Sequence, residues 1–410
     1  REHALCYKLK QSKIVHKIFC IPGNAGTGLI AENLDIQTSD FEKIKKISIE
    51  KKIELLVVGP EKPLVDGISD FFKDTNIKIF GPSKLASQLE GSKTFTKKLC
   101  KKYNIPTSKF DIFENKDNAK KFLANSTFPI VIKADGLAAG KGVYICNNDY
   151  EAITAVDEIF DGRFGKADCV LIEEFLTGEE MSYFIITDGK TFKIFQTAQD
   201  HKRVGEGDIG KNTGGMGAYS PSRLINDELQ NKINEKIVKP TLQGLRDLNS
   251  EYVGFLYIGL MIIDNEPFLI EFNVRMGDPE CQTILPLLNS DLGKIIDACC
   301  KKELSSIEIK WFDKKSLCIV LCSNGYPDNY NKNIKIDNLK KIKLIENSMI
   351  FHAGTKLVNN EVFATGGRVL NIVALSNNFQ ESKNIAITIL KDLNWTKGFY
   401  RKDIGYKVTT

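Results

Sequence analysis

Three times within the first ninety residues a helical apolar pattern is followed by a short apolar run: EHALCYKL by KIFCI, FEKIKKISIEKK by IELLVVG, and PLVDGISDFFK by IKIFG. This alternation restricts the fold more than any other feature of the chain. Strands that alternate with helices pair in parallel, and an open parallel sheet takes its ligands at the carboxyl ends of its strands. Here those ends carry PGNAGTG (22–28) and GPEKP (59–63). The chain opens on the helical pattern, so a short strand and a Gly-rich turn are expected ahead of it.

A boundary falls near residue 90. In GSKTFTKKLCKKYNIP (91–106), Ser92 is placed to cap a helix with Phe95, Leu99 and Tyr103 on one face, stopped by Asn104 and Pro106. Strand and hairpin patterns then dominate to about residue 200. The polar segment QDHKRVGEGDIGKNTGGMGAYSP (199–221) follows, and so long an irregular stretch inside a compact protein reads as functional or disordered. A helix at about 226–248 leads to the strands YIGLMII and PFLIEFNV. From about 316 a last α+β unit has strands SLCIVLC and RVLNIVAL and the helix QESKNIAITILKDL.

Composition removes several functional classes. At 410 residues the chain outgrows a single core, and its net charge of +5 has Lys and Glu interleaved, which argues against a nucleic-acid coat. It has no run of apolar residues long enough to span a membrane. The ten cysteines form no C-x-x-C pair and read as buried, reduced thiols in a cytoplasmic protein.

Chemistry concentrates in three places. VIKADGLAAGKGVYI (131–145) looks like a phosphate loop but is not a Walker A motif. Gly136 to Gly140 is one residue too short, Lys141 is followed by Gly142, and a strand rather than a helix comes next. What remains is a hairpin with Lys133 at the end of one strand and Lys141 in its turn, suited to cover a polyphosphate. In FLIEFNVR (268–275), period two puts Glu271, Asn273 and Arg275 on one face. A carboxylate and an amide oxygen two apart suit magnesium, and Arg275 would meet a phosphoryl group. VLIEEFLTGEEMSYF (170–184) is an apolar strand that breaks at EEFL and runs into an acidic turn, a place to hold a nucleoside.

Taken in order, Lys93 in GSK, Lys133 before the glycine hairpin, the EEFL hinge, Glu180 in GEEMS and the Glu271/Asn273 pair resemble the ATP-grasp superfamily. PGNAGTG, VVGPEKPLVDG, GPSKLASQLEGSK, KADGLAAGKG, the 199–221 segment, EFNVRMGDPE and FHAGT narrow the resemblance to its phosphoribosylamine–glycine ligase (glycinamide ribonucleotide synthetase) family, over essentially the whole chain. The fold so implied is α/β and α+β multidomain: a Rossmann-like parallel-sheet domain (1–90), an ATP-grasp domain (91–315) with a lid at about 110–178, and a small C-terminal α+β domain (316–410).

The implied activity joins glycine to 5-phosphoribosylamine, with ATP as co-substrate and Mg2+ or Mn2+ as metal, in the second step of purine synthesis. The resemblance implies ATP contacts at Lys93, Lys133, Gly136, Leu137, Gly140, Lys141, Gly142, Glu173, Glu174, Phe175, Leu176 and Glu180. It implies metal ligation by Glu271 and Asn273, and substrate contacts at Asn24, Gly26, Thr27, Asp200, Lys202, Arg275 and Asp278. Arg275 and Lys133 take the catalytic roles. The metal carboxylate that many ATP-grasp enzymes carry about twelve residues before the Glu is replaced here by YIGLM. Partners are small molecules only, with no nucleic acid or membrane, and a monomer is expected. Another ATP-grasp ligase or carboxylase, and a nucleotide-sensing module without turnover, remain open alternatives at this point.

Overall fold

The computed structural model describes residues 1–137, 142–163, 165 and 167–409. Gly140 and Lys141, both expected at phosphate, lie outside them.

The N-terminal alternation folds into parallel pairs. Phe19–Cys20 pairs with Glu32–Asn33, and Leu55–Val57 with Lys78–Phe80, with the helices Glu2–Lys10 and Phe41–Glu50 between and around them. The third expected helix breaks in two, Glu61–Asp66 and Ile68–Phe71, because Gly67 between them sits at φ +99. Ser92 caps the helix Lys93–Tyr103 by accepting from the Phe95 amide at 3.0 Å, and Asn104 ends it in the left-handed region.

Four antiparallel strands follow as a small separate sheet, in the order Phe110–Phe113, Val170–Glu174, Ile130–Ala134, Val143–Cys146. Two helices cover it, Lys116–Leu123 and Asp149–Phe160. These correct the reading of the stretch up to about residue 200 as mainly strand and hairpin. Asn115 and Asn148 cap them, and Ala152, Ala155, Val156 and Ile159 form the buried stripe whose helical spacing the strand reading overlooked.

The central sheet has nine strands and crosses the expected boundary at residue 315 without interruption. Its order is Glu266–Asn273, Val253–Ile263, Glu179–Asp188, Phe192–Asp200, Gly217–Ser220, Lys315–Ser323, Arg368–Ser376, Ser348–His352, with Gly398–Phe399 also alongside Lys315–Ser323. The strand Gly217–Ser220 corrects the irregular reading of 199–221. It is wholly buried, and Gly217 lets it approach its neighbour, since a Cβ there would meet the Cys318 carbonyl oxygen at 2.5 Å. Within the same segment, Arg203–Gly205 and Ile209–Asn212 form a hairpin held by Arg401, whose guanidinium binds Asp208 and Asp403 at 2.7 Å each. One apolar core draws on the large sheet from Val253–Ile263 to Ser348–His352 and on the helix Glu2–Lys10, a second joins the N-terminal unit to the sheet's end at Glu266–Asn273, and a third belongs to the small sheet.

Candidate active site

A cleft of about 550 Å³ opens where the small sheet, the large sheet and the helix Lys93–Tyr103 meet. One wall carries lysines. Lys93 donates to the Gly136 carbonyl at 2.9 Å, while Asp135 accepts from the Thr94 amide at 3.1 Å and from the Ser92 hydroxyl. These contacts tie the hairpin's first strand to the N-terminus of the helix. Gly136 has φ +93, which a residue with a side chain rarely adopts, so glycine is needed to turn the chain into the cleft. Burial, with Lys133 nearby, pulls the Lys93 ammonium below the usual lysine range.

Lys133 does not point freely into the cleft. Its Nζ sits 2.9 Å from Glu173 Oε2, both side chains nearly fully buried. Lys97, one helical turn beyond Lys93, reaches the same oxygen at 3.3 Å. Burial alone would raise the Glu173 pKa, yet the two ammonium groups outweigh it and hold the carboxyl below its ordinary range.

The opposite wall is the strand Glu266–Asn273 and the residues after it. Its register slips between Gly259 and Leu260 of the neighbouring strand, so Ile270 is the extra residue of a bulge. Beyond the bulge Glu271, Asn273 and Arg275 all line the cleft, as the alternation predicts. Arg275 is firmly held: Nη2 lies 2.7 Å from Glu90 Oε1 and 3.3 Å from Asn273 Oδ1, and Nε lies 3.2 Å from Glu61. Glu271, by contrast, forms no hydrogen bond or ion pair among the described residues, which leaves its oxygens available to a divalent cation. Asp278 also lines the cleft and pairs with Arg368 Nη1 at 3.2 Å.

At the floor, Asp200 and Lys202 stand beside Tyr257 and Glu280. Burial pushes Asp200 up to about 8, with Lys202 opposing and Glu280 and Glu180 adding to the rise. Lys202 pairs with Glu180 at 2.5 Å, and Lys202 holds Glu180 below its usual range although burial works the other way.

The cleft therefore gathers Lys93, Lys133, Gly136, Leu137, Gly142 and Glu173 on one side, and Glu271, Asn273, Arg275, Asp278, Asp200 and Lys202 on the other. Its described lining does not include Glu174, Phe175, Leu176 or Glu180. The first three lie where the chain passes from the small sheet to the strand Glu179–Asp188. The turn with Asn24, Gly26 and Thr27 lies apart from that lining. Asn24 Oδ1 accepts from the Gly26 and Thr27 amides at 2.9 Å each, and its Nδ2 donates to the His352 carbonyl at 2.9 Å.

Sequence reasoning did not single out Lys97, Glu61, Glu90, Tyr257, Glu280 or Arg368, all of which line the cleft. Lys97 had a local signal in its position four residues after Lys93 on one helix face, and Glu61 in its place within GPEKP at a strand's carboxyl end.

Comparison with known proteins agrees with this geometry. Residues 1–90, 91–281 and 316–407 match, respectively, the N domain, the ATP-grasp (A) domain and the C domain of phosphoribosylglycinamide synthetase. The phosphoribosylamine–glycine ligase of Brucella melitensis is 45% identical over 408 residues, covering 99% of this chain and 96% of its own. The chloroplastic enzyme of the same name from Arabidopsis thaliana is 45% identical, covering 99% of this chain and 78% of its own. The crystal structure of phosphoribosylamine–glycine ligase from Thermotoga maritima superposes with a TM-score of 0.84 at 31% identity, covering 98% of this chain and 97% of that one.

Proposed function

The chain belongs to the phosphoribosylglycinamide synthetase family, and from that premise we propose how its cleft carries out the ATP-dependent ligation of glycine to 5-phosphoribosylamine. The observation that carries the reading is the facing of two walls: lysines and Glu173 on one, Glu271, Asn273 and Arg275 on the other. A nucleoside triphosphate lying between them would meet cations along its phosphates and end beside Arg275.

A glycine carboxylate resists an amine because oxide would have to leave. One carboxylate oxygen therefore attacks the γ-phosphorus, the bond to the β-bridging oxygen breaks, and ADP departs. The amine of phosphoribosylamine next attacks the acyl carbon of glycyl phosphate. The carbon–oxygen bond to phosphate breaks, the nitrogen gives up one proton, and glycinamide ribonucleotide remains. The protein positions the reactants and balances charge. Covering the site with the strands Ile130–Ala134 and Val143–Cys146 excludes the water that would hydrolyse the acyl phosphate.

In this reading Lys93 and Lys133 serve the phosphates, with Gly136, Leu137 and Gly142 close to them. Glu173 to Leu176 and Glu180 hold the nucleoside. Arg275 and Asp278 face glycine and the transferring phosphoryl group, while Asp200 and Lys202 contact substrate from the floor. Asn24, Gly26 and Thr27 are assigned to phosphoribosylamine on the family resemblance. The hard oxygens of Glu271 and Asn273 suit Mg2+ or Mn2+, which when bound would neutralise phosphate charge. No helix among the described residues is long and apolar enough to cross a membrane. The substrates are small molecules, and we assign the protein to the cytoplasm.

The test follows oxygen. Glycine labelled with heavy oxygen in both carboxyl positions should deliver one label per turnover to inorganic phosphate, read by mass spectrometry. Full turnover with unlabelled phosphate would replace the acyl phosphate route with water attack on ATP.

A further inference from the structure

Lys97 has no part in the ligation as described, yet its surroundings are built. It is 3% exposed, and its ammonium is fully engaged by Thr107 Oγ1 at 2.6 Å, Ser108 Oγ at 2.8 Å and Glu173 Oε2 at 3.3 Å. Thr107 in turn donates to the Leu269 carbonyl at 2.7 Å, which fixes this end to the large sheet. Lysine is rarely buried so deeply without a specific charge partner.

The partner is distributed unevenly. Three donors converge on Glu173 Oε2: the Ser108 hydroxyl at 2.7 Å, Lys133 at 2.9 Å and Lys97. The other oxygen, Oε1, is buried with no hydrogen-bond partner among the described residues. A buried carboxylate oxygen left empty beside a cleft is an acceptor awaiting a donor. At position 6 of the purine adenine presents an amino group where guanine presents a carbonyl oxygen, so an ionised Glu173 facing that position suits the first and opposes the second.

Lys133 and Lys97 differ in what else they can do. Lys133 stands next to the last residue of the strand Ile130–Ala134, in the hairpin assigned to the phosphates, and Glu173 is its one ion-pair partner among the described residues. Lys97 is anchored by two hydroxyls and stays. We propose that Lys97 is a positioning residue that keeps Glu173 ionised once Lys133 turns to the phosphates, and that it thereby sets the preference for adenine over guanine nucleotides. This rests on the reading that residues 173 to 176 hold the adenine. Without Lys97, the carboxylate in the nucleotide complex would be buried with no fixed cation and would take up a proton. Facing position 6, the acid O–H is a donor, matched to the carbonyl oxygen of guanine and mismatched to the amino group of adenine.

The experiment compares kcat/KM for ATP and for GTP in the full chain carrying Lys97→Met, Lys97→Arg and Glu173→Gln. In Lys97→Met the ATP-to-GTP ratio should fall about tenfold or more, the scale of a hydrogen bond to a charged group, with the change falling on KM more than on kcat. Lys97→Arg should restore most of the ratio, because it returns a fixed cation. Lys97→Gln serves if the methionine variant does not fold, since it keeps a hydrogen bond toward Ser108 and removes only the charge. A uniform loss for both nucleotides with an unchanged ratio would make Lys97 merely structural and overturn the proposal. If Glu173→Gln collapses the ratio while the Lys97 variants keep it, the adenine reading survives and the role of Lys97 is wrong. If Glu173→Gln also keeps the ratio, the adenine reading itself fails.

Discussion

Glu90 and Arg275, 185 positions apart, form an ion pair of 2.7 Å at the edge of the cleft, and the second oxygen of Glu90 accepts the Val274 amide at 2.8 Å. One carboxylate thus fixes both the guanidinium and the backbone that presents it. Burial pushes the Glu90 carboxyl above its ordinary range, and the Arg275 charge opposes that rise. The pair therefore places Arg275 at the expense of burying a carboxylate.

Glu90→Gln should leave the Val274 contact in place and loosen Arg275. Turnover should fall by roughly tenfold to a hundredfold with little change in the KM for ATP, as expected when a supporting contact of a charged site residue is lost. Steady-state kinetics over a range of ATP concentrations checks this. An unchanged kcat would detach Glu90 from the placement of Arg275.

Glu271→Gln removes a formal charge from the oxygen pair but keeps its shape. It should cost on the order of a hundredfold in turnover with little change in melting temperature, because the Glu271 carboxylate makes no hydrogen bond or ion pair among the described residues. Asn273→Asp should be milder, since it still offers oxygen. Near-normal turnover of Glu271→Gln at saturating magnesium would remove the metal assignment.

Gly26→Ala tests how tightly the turn of residues 24–27 is packed against the C-terminal unit. A Cβ at Gly26 would meet His3 ring atoms at 2.3 Å and His352 Cβ at 2.8 Å, closer than real contacts allow. The variant should lose about 1–3 kcal/mol of stability. Urea unfolding measures it, and a loss below about 0.5 kcal/mol would show that the turn shifts freely.

His352 is 6% exposed, and burial pulls its pKa from 6.5 down to about 4. Above pH 6.5 both folded and unfolded chains hold it neutral, and its contribution to stability is complete. As pH falls from 6.5 toward 4, the unfolded chain takes the proton and the folded one does not, so that contribution declines. The slope is about 1.4 kcal/mol per pH unit. His352→Asn lacks this titration, so its stability deficit against the unaltered chain should shrink by about 2 kcal/mol between pH 7 and pH 5. Urea unfolding at the two pH values reads the gap, and a constant gap would mean that His352 takes up its proton as readily in the folded chain as in the unfolded one.

Local spacing by itself makes part of this protein legible. Period two in FLIEFNVR puts Glu271, Asn273 and Arg275 on the cleft, and the one-residue shortfall of the 131–145 motif distinguishes a hairpin from a Walker loop. Both depend on neighbours along the chain, whose geometry the backbone repeat dictates. What the tertiary structure decides is which distant charges meet. Lys133 and Lys97 share one oxygen of Glu173, Arg275 is locked by Glu90 and Glu61, and the turn at Asn24 leans on His352 across 328 positions. The same holds for the central sheet, where Gly217–Ser220 pairs with Lys315–Ser323 and carries one sheet across two expected domains. A charged side chain in a sequence has many possible partners at equal local likelihood. Only burial, which makes an unpaired charge too costly, selects one of them, and burial is set by how the elements pack.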